Sequence, residues 1–424
     1  MRLVYKFRHL KADPQLTCLT HIAKNLYNEA NYLIRQEFIH NGRWIHYVEL
    51  DKLLKTASLN YKLLKAQTSQ QLLRLLDKNW VSFFHAIKDW KVHPEKYRGK
   101  PNLPHYKEKE DHFLLIFTNQ NCKIENNQLI ITMSETFQQR YPTLALPLTL
   151  CIPPYVNKSF IAFHQIRILP RRSFFDIEII YEEPVLTSTV DYTRFASIDL
   201  GMNNLVTVVQ NQNVKPILIS GRLLKSINQR WNKQKAQLSS IKDKQKMKWT
   251  TLLNGITTNR NAIVRDYLHK VARFLIKYCL DHHIGNICIG KLQNIKDGIQ
   301  LGRKNNQAFV NIPLQKLKQL IKYKARLVGI RLIEKNEAYT SKCSSLDLEP
   351  IRKQKNYLGK RITRGLFKGN NYILNADVNG ALNLMRKVVG DAFIRTLTDR
   401  GCWFQPIRIR NLVQTSYEQL VSSV

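Results

Sequence analysis

The stretch that decides the fold is Phe195–Val209, which reads FASIDLGMNNLVTVV. Its two apolar runs, Phe195–Leu200 and Leu205–Val209, have the length and composition of buried strands. Between them stands Gly201-Met202-Asn203-Asn204, and glycine and asparagine are residues that tight turns favour. The stretch therefore predicts two strands joined by a turn, with Asp199 at the end of the first strand.

Downstream of this unit, short apolar strands alternate with amphipathic helices. The predicted elements are a strand at Pro216–Ser220, a basic helix through Leu224 and Ile241, a helix over about 259–281, a strand at Asn286–Ile289, a helix near 313–328, a strand at Arg331–Glu334 and a helix over about 376–388. Three strands in succession, then helices alternating with strands, is the order expected of an RNase H-like α/β fold. We therefore predict an α/β domain over residues 191–390 and a C-terminal tail over 391–424.

Before residue 190 the period of the apolar residues changes along the chain. The chain opens with a short alternating basic strand, and a helical period follows. From about 112 to 183 the period is two, which indicates an antiparallel barrel or sandwich. Residues 1–190 are thus predicted to form a β domain, made of about 1–14 and 96–190, with a helical block at about 15–95 inserted in it.

Charge dominates the composition. The chain has 67 Lys and Arg residues against 31 Asp and Glu, which gives a formal net charge of +36. Like charges repel one another in a folded protein, so this excess favours binding to a polyanion, and nucleic acid is the predicted partner. No apolar run approaches the ~20 residues of a membrane-spanning helix, and no secretory signal opens the sequence, so no membrane partner is expected.

The seven cysteines are scattered, and none lies in a CxxC pair: Cys18, Cys122, Cys151, Cys279, Cys288, Cys343 and Cys402. An odd number without paired spacing argues against a disulfide framework and against a thiolate zinc site. The same usage suits a reducing compartment, so a cytoplasmic location is expected.

Two aspartates stand where a nuclease would hold metal ions. Asp199 ends an apolar strand, where an ionised group is costly unless it is paired or bound to a metal. Asp377 opens the last predicted helix, whose Gly380 and Ala381 let it approach a sheet closely. Phosphodiester cleavage often uses two Mg²⁺ or Mn²⁺ ions held by carboxylates from different elements. Taken singly, each aspartate is also explained as a turn former or as a charge that complements a helix dipole.

The sequence around both aspartates is more specific. Ser197–Asn204 resembles the first RuvC motif of the OrfB/TnpB family of bacterial insertion sequences, and Asn375–Asn383 resembles its third motif. Glu337–Ser344 is similar to the family's segment before its zinc ribbon, and Ala23–Tyr32 is similar to its helical region. The resemblance runs from about residue 5 to 390, nearly the whole chain.

This resemblance implies both a fold and an activity. The fold would be an RNase H-like (RuvC) nuclease core, preceded by a wedge-type β-barrel that carries a helical recognition block. The activity would be Mg²⁺- or Mn²⁺-dependent cleavage of double-stranded DNA beside a short adjacent motif, directed by a guide RNA from the transposon end.

The sequence departs from the family at the middle carboxylate. Better-known members have a Glu at the end of the strand that here reads Ile287-Cys288-Ile289-Gly290, and glycine cannot bind a metal. Sequential strands of such folds are commonly neighbours, so the strand Arg331–Glu334 should bring another acid to the same centre. We expect Glu337, as in relatives with a Glu before Tyr-Thr-Ser, and Glu334 and Asp297 are further candidates.

A second departure is the missing zinc ribbon, since Cys343 is the only cysteine between residues 338 and 372. No zinc is therefore expected there. The basic residues of this segment, Arg361 and Arg364 among them, are predicted to bind nucleic acid or guard the site, and a solvated basic loop is the alternative. Nucleic-acid binding is also predicted for the basic side of the helix after Pro216–Ser220, namely for Lys225, Arg230, Lys233 and Lys235.

Three hypotheses follow for the function. In the first, Asp199, Glu337 and Asp377 bind two divalent ions, and water attacks the phosphodiester in line. In the second, Glu337 is a bystander, and the chain is a nuclease-inactive, RNA-guided DNA-binding protein that acts as a repressor or transposition accessory factor. The third is a general RNA-binding protein without a guide. The pair His282-His283 does not indicate a single-strand transposase, because adjacent side chains of a strand cannot both face one ion.

Overall fold

The computed structural model describes residues 1–10, 13–153, 162–186, 188–247, 250–292, 312–363, 365–396, 400–410 and 412. The chain divides into two compact units, Met1–Pro184 and Val185–Val424. Each unit has a hydrophobic core made from its own residues.

The N-terminal unit contains these described α-helices: α1 Pro14–Asn41, α2 Tyr47–Ala57, α3 Leu59–Leu63, α4 Ala66–Val92 and α5 Glu135–Arg140. The sequence sets both ends of α1. The Asp13 side chain accepts a hydrogen bond from the Leu16 amide at 2.9 Å, and Pro14 takes the first position. The helix ends at Gly42, whose φ of 65° suits glycine.

The strands of the N-terminal unit are β1 Arg2–Leu10, β2 Leu115–Thr118, β3 Cys122–Glu125, β4 Gln128–Ile131, β5 Leu148–Cys151, β6 Ala162–Pro170 and β7 Phe174–Glu182. They form one antiparallel sheet of order β1-β7-β6-β2 and another of order β3-β4-β5. Within the described residues these are two separate open sheets, so the wedge-type β-barrel that the family resemblance implies is not observed. Alternating apolar residues specify which face of a strand is buried, but they do not specify whether the end strands of a sheet pair.

The strands of the C-terminal unit are β8 Asp191–Asp199, β9 Asn204–Gln210, β10 Ile217–Ser220, β11 Ile284–Gly290, β12 Arg331–Lys335, β13 Lys360–Thr363, β14 Leu366–Lys368, β15 Ile373–Asn375 and β16 Ile407–Ile409. The main sheet has the order β12-β11-β8-β9-β10-β16. Its centre is the antiparallel meander β8-β9-β10, while β11 pairs in parallel with β8 and with β12. The predicted α/β class is confirmed, and the tail adds the parallel edge strand β16.

The described α-helices of the C-terminal unit are α6 Arg222–Lys244, α7 Thr251–Asp281, α8 Leu314–Leu327, α9 Ala376–Val389 and α10 Ala392–Thr396. They lie on both faces of the main sheet. Val208 of β9 packs in the core that α7 and α8 cover, whereas its neighbour Val209 packs in the core that α9 covers. Successive side chains of a strand point to opposite faces, so α9 lies across the sheet from α7 and α8. None of the described helices is both long enough and apolar enough to cross a membrane.

A small antiparallel sheet of order β13-β14-β15 stands in the segment that the sequence leaves irregular. Its strands have only three or four residues, which explains why no periodicity reveals them. Phe367 of β14 and Leu374 of β15 are buried, and Arg361 of β13 is in register with Phe367. Cross-strand partners share a face, so Arg361 lies on the inner side of this sheet. The last strand continues directly into α9.

Candidate active site

Asp199 is the final residue of β8 and faces α9. The preceding residue, Ile198, is fully buried in the core beneath α7, so the alternation of the strand turns Asp199 to the other face. A glycine allows the close approach of α9 at this point. A Cβ atom at Gly380 would lie 3.4 Å from Oδ2 of Asp199. The carboxylate therefore lies between the end of the strand and the first turns of the helix.

Asp377 lies in the first turn of α9, where the Asn375 side chain caps the helix by accepting hydrogen bonds from the amides of Asp377 and Val378 at 3.0 and 3.3 Å. Its Oδ2 accepts a hydrogen bond from Nδ2 of Asn204 at 2.8 Å, and its Oδ1 is 3.1 Å from Nη2 of Arg361. The two sequence motifs thus meet at Asp377. A contact of Asn204 with the other motif could not be foreseen from the sequence, because a turn asparagine is explained locally.

Glu337 follows β12 and lies in front of Gly290. The strands β11 and β12 are neighbours, as the sequence predicts, and they run parallel with Gly290 in register with Lys335. A Cβ atom built on Gly290 would overlap the carboxyl group of Glu337. The carboxylate of Glu337 therefore fills the space that a side chain at position 290 would occupy.

The three carboxylates interact electrostatically. The pKa of Asp199 is raised to about 8, first by burial and then by the negative charges of Asp377 and Glu337, while Arg361 acts in the opposite direction. Burial also raises the pKa of Glu337, and this rise is opposed by Lys318 and Lys387. Asp199 therefore lies within electrostatic reach of both Asp377 and Glu337.

The other acidic candidates do not join this centre. Glu334 is held by two lysines, with Oε2 at 2.7 Å from Nζ of Lys318 and Oε1 at 3.0 Å from Nζ of Lys322. Hydrogen bonds from these lysines lower the pKa of Glu334. Asp297 lies outside the described residues.

Carboxylate oxygens are the ligands that hard divalent cations prefer. A cation beside Asp199 would offset the burial and the like charges that raise the pKa of this group. The residues present therefore fit Mg²⁺ or Mn²⁺ by their chemistry. In the arrangement described, Asp377 contacts Arg361 and Asn204. Across the described ranges, no three His, Cys, Asp or Glu side chains stand close enough together to hold an ion.

Hydrogen bonds that backbone amides donate to a buried carboxylate stabilise residues 343–358. The side chain of Glu349 is 3% exposed and accepts hydrogen bonds from the amides of Ser344 and Leu358 at 2.6 and 3.0 Å. Cys343 is fully buried, and its thiol faces the carbonyl of Pro350 at 3.5 Å. A single glutamate in a polar stretch carries no sequence signal, so this role of Glu349 could not be predicted.

The predicted nucleic-acid-binding residues fall into two groups. Arg230, Lys233 and Lys235 are exposed on α6, and the Lys235 ammonium lies 4.9 Å from the ring centroid of Trp231. Lys225 contacts the Asn203 side chain in the turn after β8. In the second group, Arg361 contacts Asp377, and Arg364 lies outside the described residues.

The raised pKa of Asp199 predicts that Asp199→Asn stabilises the metal-free protein at pH 8. As pH rises above 3.8, the unfolded chain ionises this group while the folded chain resists until about pH 8. Folding stability is lost over that window, and the amide removes the loss. Because the Asp199 side chain is partly exposed, solvent screening reduces the effect of the full pKa shift. We expect the free energy of unfolding to rise by roughly 2 kcal/mol, or ~4–8 °C in melting temperature, in EDTA at pH 8.

The gain should shrink at pH 4.5, where the carboxyl group is largely protonated in the folded state. Thermal melts of the parent and the variant at both pH values provide the measurement. Equal melting temperatures at pH 8 would show that Asp199 carries no electrostatic strain.

Two family models match the chain. Residues 178–296 match OrfB_IS605, described as a probable transposase, and residues 315–384 match the Cas12f1-like TNB domain. The first match spans β8 to β11 with Asp199, and the second spans Glu337 and Asp377.

Individual proteins and a solved structure are also similar to this chain. A TnpB-like protein of Acidianus two-tailed virus is 25% identical over 416 residues, which cover 89% of this chain and 84% of that protein. The CRISPR-associated endodeoxyribonuclease Cas12f2 of a Micrarchaeota archaeon is 26% identical over 236 residues, 52% of this chain and 41% of the relative. Among solved structures, the Cas12f1 chain of a complex with sgRNA and target DNA has a similar fold, with a TM-score of 0.57 at 15% identity over 87% of this chain and 81% of that one.

Proposed function

We propose that this chain, a protein of the TnpB/OrfB family related to type V CRISPR effectors, is an RNA-guided, divalent-metal-dependent DNA endonuclease. The observation that supports the proposal is that Asp199, beside Gly380 of α9, is acted on by the negative charges of Asp377 and Glu337, which belong to two other elements. The Glu337 carboxylate lies in front of Gly290, at the point where the family has its middle acid. Carboxylates that meet in this way are a common device of metal-dependent phosphodiester cleavage.

Each residue of the centre has a distinct part in this proposal. Asp199, Glu337 and Asp377 would hold Mg²⁺ or Mn²⁺, which supplies charge stabilisation for the attacking and leaving oxygens of an in-line displacement. Asn204 orients Asp377 through its hydrogen bond of 2.8 Å. Arg361, now 3.1 Å from Asp377, is a cation that a metal would replace, and its guanidinium is then available for a backbone phosphate.

The partners proposed are a guide RNA from the transposon end and double-stranded target DNA. The net charge of +36 supports polyanionic partners in general. The similar Cas12f1 structure is a complex with guide and target, and the Cas12f2 relative is named an endodeoxyribonuclease. Base pairing would supply sequence specificity, while the protein would contact backbone phosphates and a short adjacent motif.

The nuclease-inactive alternative is less well supported. It depended on the absence of a carboxylate at position 290, and the carboxylate of Glu337 occupies that space.

The proposal is tested by incubating the purified ribonucleoprotein with Mg²⁺ and a plasmid that carries the guide-matched target. We expect linear or nicked product, which EDTA and Asp199→Ala both abolish. A plasmid that stays intact with bound guide and Mg²⁺ would contradict the nuclease assignment. Sequencing of the co-purified RNA tests the guide, since one dominant structured species is expected.

A further inference from the structure

One face of α9 carries polar side chains that contact the segment after β12. Asn379, Asn383 and Lys387 follow one another at intervals of four residues, so they lie in one row along the helix. Asn379 and Asn383 are fully buried, and both donate hydrogen bonds to the carbonyl of Cys343, at 2.9 and 2.7 Å. Asn383 also donates to the carbonyl of Thr340 at 2.9 Å. The row therefore attaches this segment to α9.

Lys387, the last residue of the row, contacts the backbone on both sides of Glu337. Its Nζ donates hydrogen bonds to the carbonyls of Asn336 and Ala338, at 2.9 and 2.6 Å. The carbonyl of Glu337 itself accepts a hydrogen bond from the hydroxyl of Thr340 at 2.8 Å. All three successive carbonyls thus have side-chain donors, and a single ammonium group supplies two of them.

The position of Glu337 in the chain explains why such contacts matter. Strand β12 ends at Lys335, so Glu337 lies two residues beyond the strand. A residue within a strand is fixed by hydrogen bonds to the neighbouring strand, whereas ordering a free loop costs conformational entropy. The hydrogen bonds from Lys387 therefore give the backbone around Glu337 a fixed position, as strand pairing does for Gly290.

Lys387 also lies close to the Glu337 carboxylate. Burial raises the pKa of this carboxyl group, and the charges of Lys318 and Lys387 oppose the rise. The Nζ of Lys318 contacts the ends of two strands, since it donates to the Gly290 carbonyl at 3.0 Å and lies 2.7 Å from Oε2 of Glu334. Of these two lysines, Lys387 is the one that holds the chain directly before and after Glu337.

We propose that Lys387 is a positioning residue for the metal centre, which fixes the backbone around Glu337 so that the carboxylate stays in front of Gly290. The inference rests on the proposed function, because it takes Glu337 to be a ligand of the divalent ion. In this arrangement α9 places two of the three acids, Asp377 directly and Glu337 through Lys387. Lys387 itself contacts neither the ion nor the DNA.

The test compares Lys387→Met, which loses both hydrogen bonds, with Lys387→Arg, whose guanidinium can donate to both carbonyls. The first measurement is amide hydrogen exchange of residues 336–343 in the guide-loaded protein with EDTA, followed by mass spectrometry. We expect exchange in Lys387→Met to be at least about fivefold faster than in the parent. Lys387→Arg should stay within about twofold of the parent. Melting temperatures check that both variants fold.

The second measurement is Mn²⁺ binding in two backgrounds. Lys387→Met should weaken binding about tenfold in the parent, but less than about twofold in Glu337→Gln. A residue that acts through the Glu337 carboxylate has no further effect once this carboxylate is absent. A merely structural loss would weaken Mn²⁺ binding equally in both backgrounds.

Lys322→Met is the matched control, because it makes the same chemical change at a lysine whose Nζ lies 3.0 Å from Oε1 of Glu334. It should leave the exchange of residues 336–343 and the Mn²⁺ affinity within about twofold of the parent. Parental exchange and Mn²⁺ affinity in Lys387→Met would overturn the inference, as would equal losses of affinity in the two backgrounds. Failure of the nuclease proposal would appear instead in the parent protein, as an intact plasmid with bound guide and Mg²⁺.

Discussion

Glu337→Gln should lower the cleavage rate of the guide-loaded protein by about 10²–10³-fold, while guide and target binding stay nearly unchanged. The substitution keeps the volume and most of the hydrogen-bonding capacity of the side chain. It removes the negative charge that a hard cation requires. The burial that raises the pKa of Glu337 indicates that this carboxylate does not interact mainly with solvent. Single-turnover cleavage with saturating guide provides the rate, and gel shift provides target binding.

The matched control for this variant is Glu334→Gln, three residues earlier in the chain. Glu334 forms ion pairs with Lys318 and Lys322. Removal of its negative charge should therefore change the cleavage rate by less than about threefold. If Glu337→Gln cuts as fast as the parent, Glu337 is not a metal ligand. In that case Asp297 becomes the next candidate to replace.

Moving the acid from position 337 to position 290 tests the same geometry in a second way. Gly290→Glu alone should reduce activity at least tenfold, because its new side chain would overlap the Glu337 carboxyl group. Glu337→Ala alone should be inactive for lack of the charge. In the double variant, Gly290→Glu with Glu337→Ala, the alanine frees the space and strand β11 supplies the acid. We expect at least a tenfold gain over Glu337→Ala, which is strong non-additivity for residues in contact.

The double variant is informative because Gly290, the last residue of β11, does not have the positive φ that favours glycine, so a side chain there causes no backbone strain. Any change in the cleavage rate of these variants is therefore not caused by backbone strain at position 290. Cleavage rates of the parent, the two single variants and the double variant form one cycle. If Gly290→Glu is tolerated alone, or if the double variant remains as inactive as Glu337→Ala, the two side chains do not share one space.

Local sequence patterns predict several elements of the C-terminal unit. The apolar runs on either side of Gly201 correctly predict the β8-β9 hairpin. A short apolar run identifies a buried strand by itself, without information from the rest of the chain. The rule that sequential strands are neighbours correctly predicts the pairing of β11 with β12. That pairing is what brings Glu337 to Gly290, a meeting that motif spacing alone would not reveal.

Features that depend on distant contacts could not be predicted. Alternation left a barrel and a sandwich open for the N-terminal strands, the family resemblance implied a barrel, and two open sheets are observed among the described residues. The edge strand β16 has only three residues, and its position depends on β10, nearly two hundred positions earlier in the chain. Contacts of Arg361 and Asn204 with Asp377 likewise join residues far apart in sequence. Single residues of this kind leave no periodic signal.

Asp199, Glu337 and Asp377 are proposed to form one divalent-metal centre. A titration of the guide-loaded protein with Mn²⁺ tests this assignment, with the free ion followed by electron paramagnetic resonance and the Mn²⁺ bound by the guide RNA alone subtracted. We predict that the parent removes Mn²⁺ from solution, and that Asp199→Asn, Glu337→Gln and Asp377→Asn each weaken this binding at least tenfold, by about 1.4 kcal/mol or more. Glu334→Gln should bind Mn²⁺ as the parent does. Identical binding curves for the parent and all three single variants would contradict the account.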